Sequence, residues 1–208
     1  MSSARSREVL WILLIALILL TAIVASATTL EPMSFTALTR RATRIAHLRC
    51  VSVRSAWEGG EIWTESRFAI LAEEKADAAG GDAVRAARSV DGGANNLTVR
   101  MLGGRVDGMR SHVDGVPEFR AGEEVYLFLW RRDGSEPYRV LGWTQGTFRV
   151  TRDLRTGEGR VTQDSAGAAV GREATLGEAR KVLNGGIHGM ETGVFEAKLL
   201  RELQEGGR

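Results

Sequence analysis

Hydrophobic and polar positions divide the chain into one long apolar run, a series of short alternating stretches and two helical stripes. The run comes first. Arg5 and Arg7 precede unbroken apolar residues from Val9 to Leu20, continued by Thr21, Ala22, Ile23 and Val24. Ala25-Ser26-Ala27 then has the small-x-small pattern of a leader cleavage site. Val9–Val24 is long for a signal-peptide core and short of the about 20 residues of a comfortable membrane span. Two readings therefore stay open for residues 1–27: a cleaved signal peptide, or a single anchor in which Trp11, Leu14, Leu17 and Leu20 pack in the bilayer. Both put Arg5 and Arg7 in the cytoplasm and everything after Thr28 outside it. A buried core helix is the third, plainer reading, at odds with a segment apolar on every side.

Pro32 and an N-cap at Ser34 predict a helix through about Ile45, with Phe35, Leu38, Ala42 and Ile45 on one stripe. Arg40, Arg41 and Arg44 fall on its other side, where an anchored chain would hold them near lipid headgroups. A solvated helix face is the plainer account of them. Period-2 alternation follows in His47–Trp57, with Val51, Val53 and Trp57 on one side. Glu58-Gly59-Gly60-Glu61 is a turn, and Ile62–Leu71 resumes the alternation: Ile62, Thr64, Ser66, Phe68 and Ile70 face one way, Trp63, Glu65 and Arg67 the other. Together these predict a hairpin. Glu73–Asn95, rich in Ala, Gly, Asp and Arg, reads as a mobile insertion with at most a weak helix around Asp82–Arg88.

Leu97, Val99 and Met101 alternate in a third strand closed by Gly103-Gly104. Val125–Trp130 is apolar on both faces and predicts a central, doubly covered strand. Tyr138–Trp143 and Thr147–Val150 are the last strands predicted, with a bend between Gly142 and Gly146. A polar, glycine-rich link is expected from Thr156 to Gly171. Thr175-Leu176-Gly177-Glu178 then caps a helix ending at Asn184-Gly185-Gly186. Val194–Gln204 carries Phe195, Leu199 and Leu203 on one stripe of a final helix. Short strands, glycine bends and no long intervening helices predict a mostly β protein: a small antiparallel barrel or curled sheet with helices at both ends. The five-strand oligonucleotide/oligosaccharide-binding (OB) type is the specific expectation. The domain plan is 1–27 leader or anchor, 33–152 barrel, and 153–208 link and helices.

Composition narrows the chemistry. In 208 residues, 28 Lys+Arg against 26 Asp+Glu leave a net charge of +2, which is no electrostatic footprint for nucleic acid. Only Lys75, Lys181 and Lys198 are lysine. Arginine favours bidentate contact with carboxylate or phosphate, although a GC-rich genome gives the same bias. The lone Cys50 excludes a disulfide scaffold and an all-cysteine metal site; it reads as a small buried hydrophobe on a strand. Of the five tryptophans, Trp57, Trp63, Trp130 and Trp143 fall in the barrel region. Most of these fit core filling, but Trp63 stands opposite Phe68 and Ile70, beside Arg67, and is the candidate for contact with a partner.

Val51-Ser52-Val53-Arg54-Ser55-Ala56-Trp57, Gly103-Gly104-Arg105-Val106-Asp107-Gly108 and Gly115-Val116-Pro117-Glu118-Phe119-Arg120-Ala121-Gly122-Glu123-Glu124 carry a family resemblance. Leu127-Phe128-Leu129 and Gly146-Thr147-Phe148-Arg149-Val150 extend it. From Phe35 to Val150 the chain resembles secreted bacterial β-barrel domains of unknown function, found alone or beside matrixin-type metallopeptidase domains. The layout is more faintly similar to netrin-like inhibitor barrels, whose paired cysteines are missing here. The resemblance implies an envelope or extracellular domain and brings no catalytic residues.

Candidate catalysis is thin. His47, His112 and His188 lack the His-Glu-x-x-His of zincin peptidases. His188 reads as a helix-exit loop. Ser111-His112-Val113-Asp114 brings a hydroxyl, an imidazole and a carboxylate together on a loop, but triads are assembled in space, and an adjacent Ser-His pair is a poor start. Gly103–Gly108 has the glycine spacing of a phosphate loop, yet Met109-Arg110 stands where Lys-Ser/Thr belongs. The chain is expected to use no cofactor or metal and to act by binding a protein or envelope polymer rather than nucleic acid. The alternatives are a single-span accessory subunit of a membrane complex and, remotely, a hydrolase using the His112 loop.

Overall fold

The computed structural model describes residues 32–76, 96–133, 137–164 and 187–206. The leader or anchor with Trp11, Leu14, Leu17 and Leu20, the insertion from 77 to 95 and the capped helix at 175–184 lie outside them. Among the described residues no helix is long and apolar enough to cross a membrane.

Helix α1 (Phe35–Arg41) starts where Ser34 Oγ accepts the Ala37 amide hydrogen, the cap read from the sequence. It stops early. Ala42 is already extended, and Thr43 donates its amide to Leu129 O. Ala42 and Ile45 are buried as the stripe requires, but Ile45, with Arg44, belongs to strand β1 (Arg44–Glu58). Pairing of Arg44 with Leu129 outcompetes another helical turn.

β1 forms a long antiparallel hairpin with β2 (Glu61–Lys75) about the Gly59-Gly60 turn, where both glycines have positive φ. β2 pairs with β3 (Asn96–Leu102). β4 (Gly104–Val106) and β5 (Met109–Ser111) make a separate small hairpin. β6 (Glu124–Trp130) lies on the other side of β1 and is buried along nearly its whole length, as expected of a doubly covered strand. Its far edge takes β7 (Arg139–Val140) near one end and β8 (Thr147–Arg152) near the other. A 3-10 turn, Trp143–Gly146, makes the bend between them. β9 (Gly159–Gln163), β10 (Met190–Glu191) and helix α2 (Thr192–Gly206) complete the described chain.

The sheet order is β10-β9-β8-β6-β1-β2-β3. Over its described residues the protein is thus mostly β, a curled antiparallel sheet with two helices. The strand ladder does not run round a closed barrel: β3 reaches the other end of the curl through one parallel bridge, Val99 to Tyr138, with Arg100 donating its amide to Tyr138 O. The sheet also runs past residue 152. β9 falls inside the stretch expected to be a polar link, because Val161 alone supplies its apolar anchor between polar neighbours.

Each sheet face has its own core. Alternation along β6 sends Tyr126 and Phe128 to one side, where Phe35 and Leu38 of α1, Phe148, and Phe195 and Leu199 of α2 enclose them. Val125, Leu127 and Leu129 go to the other, inside the curl, with Leu48, Phe68, Leu97, Val99 and Phe119. Cys50 is buried and free in this inner core.

Beyond Cys50 the β1–β2 hairpin leaves both cores. A register shift lies between Cys50 and Ser52, and Val51, Val53 and Trp57 are then 53%, 40% and 48% exposed. Their alternation marks a strand, but neither core cluster of the described residues includes them.

Candidate functional site

A cleft of 360 Å³ opens where this projecting hairpin meets the inner side of the curl. Its floor is Val53, Ser55, Thr64, Ser66 and Met101. These side chains share a face because Val53 pairs with Ser66, Ser55 with Thr64 and Thr64 with Met101. One wall is the β4–β5 hairpin, the other the loop from His112 to Arg120.

The first wall is fixed by the floor. Thr64 Oγ1 donates to Gly103 O at 2.6 Å, so the 2.8 Å contact between the two hydroxyls has Ser55 as donor. Gly104, at φ +134°, lies so close over Ser55 and Thr64 that a Cβ would strike both hydroxyls. The glycine is therefore required for this approach, not only for the turn. The second wall is held by Phe119, which packs edge-on to Phe68 at 5.1 Å, and by Arg149, which donates to Glu118 O at 2.9 Å. Gly115 O accepts the Thr144 amide.

Charge in the cleft is unbalanced. Arg105, Arg110 and Arg120 line it against one carboxylate, Glu118. Arg110 reaches Glu118 at 3.0 Å, and His112 lies 3.4 Å from it and 3.3 Å from Asp114. The hydrogen bond from Arg110, with a smaller one from His112, holds the Glu118 carboxyl below its ordinary range. Arg105 and Arg120 have no carboxylate partner among the described residues. Ser111 and His112 both line the cleft, but His112 turns to the two acidic side chains.

A second polar cluster lies under α2. Glu124 is buried and its Oε1 lies 2.8 Å from His47 Nε2, while Arg152 Nε donates to its Oε2 at 2.9 Å and the Arg152 Nη2 reaches Oε1. The His47 ring stacks on Tyr126 at 4.1 Å, whose hydroxyl donates to Glu196 at 2.6 Å. Burial pushes the His47 imidazole below its ordinary value, against the pull of Glu124. Hydrogen bonds from Arg152 hold the Glu124 carboxyl low, against its own burial. Burial and the nearby Glu196 push Glu74 up. With its groups paired to one another and His47, Glu124 and Tyr126 buried, this cluster ties β1, β6, β8 and α2 together rather than facing a ligand.

The residues singled out from the sequence scatter. Trp63 is half-buried on the outer face of the hairpin, between Arg100 at 4.6 Å and Arg139 at 5.7 Å. The more exposed aromatic is Trp57. Arg67 is exposed on the same outer face as Trp63, away from the cleft. Arg40 and Arg41 are exposed at the end of α1. Arg44 is buried instead, 2.9 Å from Glu73 and over the Tyr138 ring at 5.4 Å, which corrects its expected place on a solvated helix face. The cleft brings together residues that sequence reasoning passed over, above all Ser55, Thr64, Arg105 and Arg120. The signal was there in the glycines: Gly103, Gly104, Gly108 and Gly115 all take positive φ around it. Among the described residues no group of three or more His, Cys, Asp or Glu is placed to hold a metal ion.

No family model, curated protein or solved structure matches this chain.

Proposed function

We propose that this chain is an exported, non-catalytic binding domain of the cell envelope, and that the cleft between the β4–β5 hairpin and the 112–120 loop is its binding site. The observation that carries the binding reading is the cleft itself: a concave surface with rigid walls, hydroxyl groups on its floor and more arginine than carboxylate around it. Among the described residues the polar clusters do not combine into a nucleophile with an oriented base. Export rests on Arg5, Arg7 and the apolar run with its Ala25-Ser26-Ala27 end.

We also read the curl as OB-like. Following β1, β2 and β3, the parallel bridge at Val99 leads to the segment entering β7, then to β6 and back to β1. That order is what an OB-type curl requires, and it supports the proposed kinship with secreted bacterial barrel domains. Fractionation of the producing cells followed by intact-mass measurement tests the export reading. A soluble extracytoplasmic species beginning at Thr28 fits a free binding domain, and a full-length membrane species fits the accessory subunit instead. A soluble cytoplasmic chain of full mass overturns export.

A further inference from the structure

The outer edge of β1 changes character at Cys50. Up to there it is covered, first by β6, which pairs with Arg44–Arg49, and then by the backbone bonds of Cys50 to Glu123 O and of Gly122 to Cys50 O. From Val51 to Glu58 no strand pairs with that edge among the described residues. This leaves roughly 25 Å of unpaired strand. It holds neither proline nor lysine, two residues with which natural edges are blunted. The exposed Val51, Val53 and Trp57 line it, and Val53 and Ser55 also line the cleft, so edge and cleft form one surface.

We infer that this surface binds an extended acidic peptide by strand addition to β1. The inference rests on the binding reading above and names its ligand class. Only a polypeptide presents N–H and C=O groups at the spacing an unpaired strand edge can bond, which favours peptide over sugar or nucleic acid. Alternate side chains of the added strand point to opposite faces, and one set would lie on the face of Val53 and Ser55, toward the cleft. Carboxylates in that cleft-facing set would meet Arg105 and Arg120, since Glu118 is already taken up by Arg110 and His112.

The probe is an acetylated, amidated eight-residue peptide of alternating valine and glutamate, added to the 15N-labelled full chain in detergent micelles. Expected are shift changes and slowed amide exchange confined to residues 51–58, Arg105, Arg120 and the cleft floor. The double variant Arg105→Ala/Arg120→Ala should bind about tenfold more weakly. Of two further peptides, N-methylated at odd or at even positions, one should lose binding, because only one alternation faces the edge. Equal binding of both methylated peptides overturns strand addition, as do shift changes confined to other surfaces. If an oligogalacturonate or an oligonucleotide perturbs the cleft where the peptide does not, the binding reading stands and strand addition falls. Concentration-dependent dimers with β1 edges paired also overturn it, in favour of a second copy as the occupant.

Discussion

Glu124→Gln tests the claim that the cluster under α2 is structural. The native carboxylate is buried and accepts from His47 at 2.8 Å and from Arg152 at 2.9 Å and through a second nitrogen. Hydrogen bonds to a charged group contribute about 1.5–3 kcal/mol each. Arg152 is nearly half exposed, so solvent screens its share, and glutamine keeps one acceptor oxygen. The net loss should be about 1–3 kcal/mol, which moves a urea midpoint by about 1 M. The pH dependence is sharper. Glu124 is held below its ordinary 4.5 in the fold, so the unfolded chain takes up that proton first. Its contribution is present above about 4.5 and is lost as pH falls through the lower folded value. His47 is held below 6.5 by burial, so acidification from about 6.5 protonates the unfolded chain while the folded ring stays neutral, and stability falls there as well. The parent should therefore lose stability in two stages, and in Glu124→Gln the lower one should shrink to what other depressed carboxylates such as Glu118 contribute. Urea titrations of both proteins from pH 8 to 3.5 would check this. A midpoint shift under about 0.2 M with an unchanged acid limb would refute the reasoning.

Other expectations follow from single contacts. Phe195 is fully buried between Phe35 at 5.9 Å, Tyr126 at 4.8 Å and Phe148 at 5.4 Å; Phe195→Ala should cost about 3–5 kcal/mol by urea unfolding and detach α2 from the sheet. Gly104→Ala should lower the melting temperature far more than Gly108→Ala and shift the Ser55 and Thr64 amides, because a Cβ at Gly108 meets nothing within 4 Å while one at Gly104 strikes both hydroxyls. Equal effects of the two would remove the argument that Gly104 closes the cleft wall. Cys50 is buried, and burial with the nearby Glu123 pushes its thiol up; an aromatic disulfide reagent should titrate it slowly in the native protein and fully in urea.

Much of the strand plan was legible because alternation survives wherever one face is buried. Phe68 and Ser66 turned inward as their spacing required, and Val125–Trp130 declared itself by being apolar on both faces. The pattern failed where tertiary pairing overrode local preference. Arg44 and Ile45 fit a helical stripe, yet bonding to β6 drew them into β1. β9 escaped notice because one buried valine between polar neighbours gives no period to read. At Val51, Val53 and Trp57 the alternation was sound as a strand signal, but alternation cannot say whether a layer covers it. The cleft was hidden for a different reason. Its floor comes from three strands and its walls from two segments beyond them, so no local window contains it, and only the glycines with positive φ marked its outline.

The central claim is that the chain works by binding through the cleft beside the free edge of β1. Its most direct test is photo-crosslinking in the producing cells from benzoylphenylalanine placed at Val53, which lines the cleft, and at Leu154, fully exposed on the far turn after β8. The account predicts ultraviolet-dependent adducts in the envelope fraction from Val53, lost in the Arg105→Ala/Arg120→Ala background, and none from Leu154. Equal adducts from both positions, or none from Val53, would contradict it.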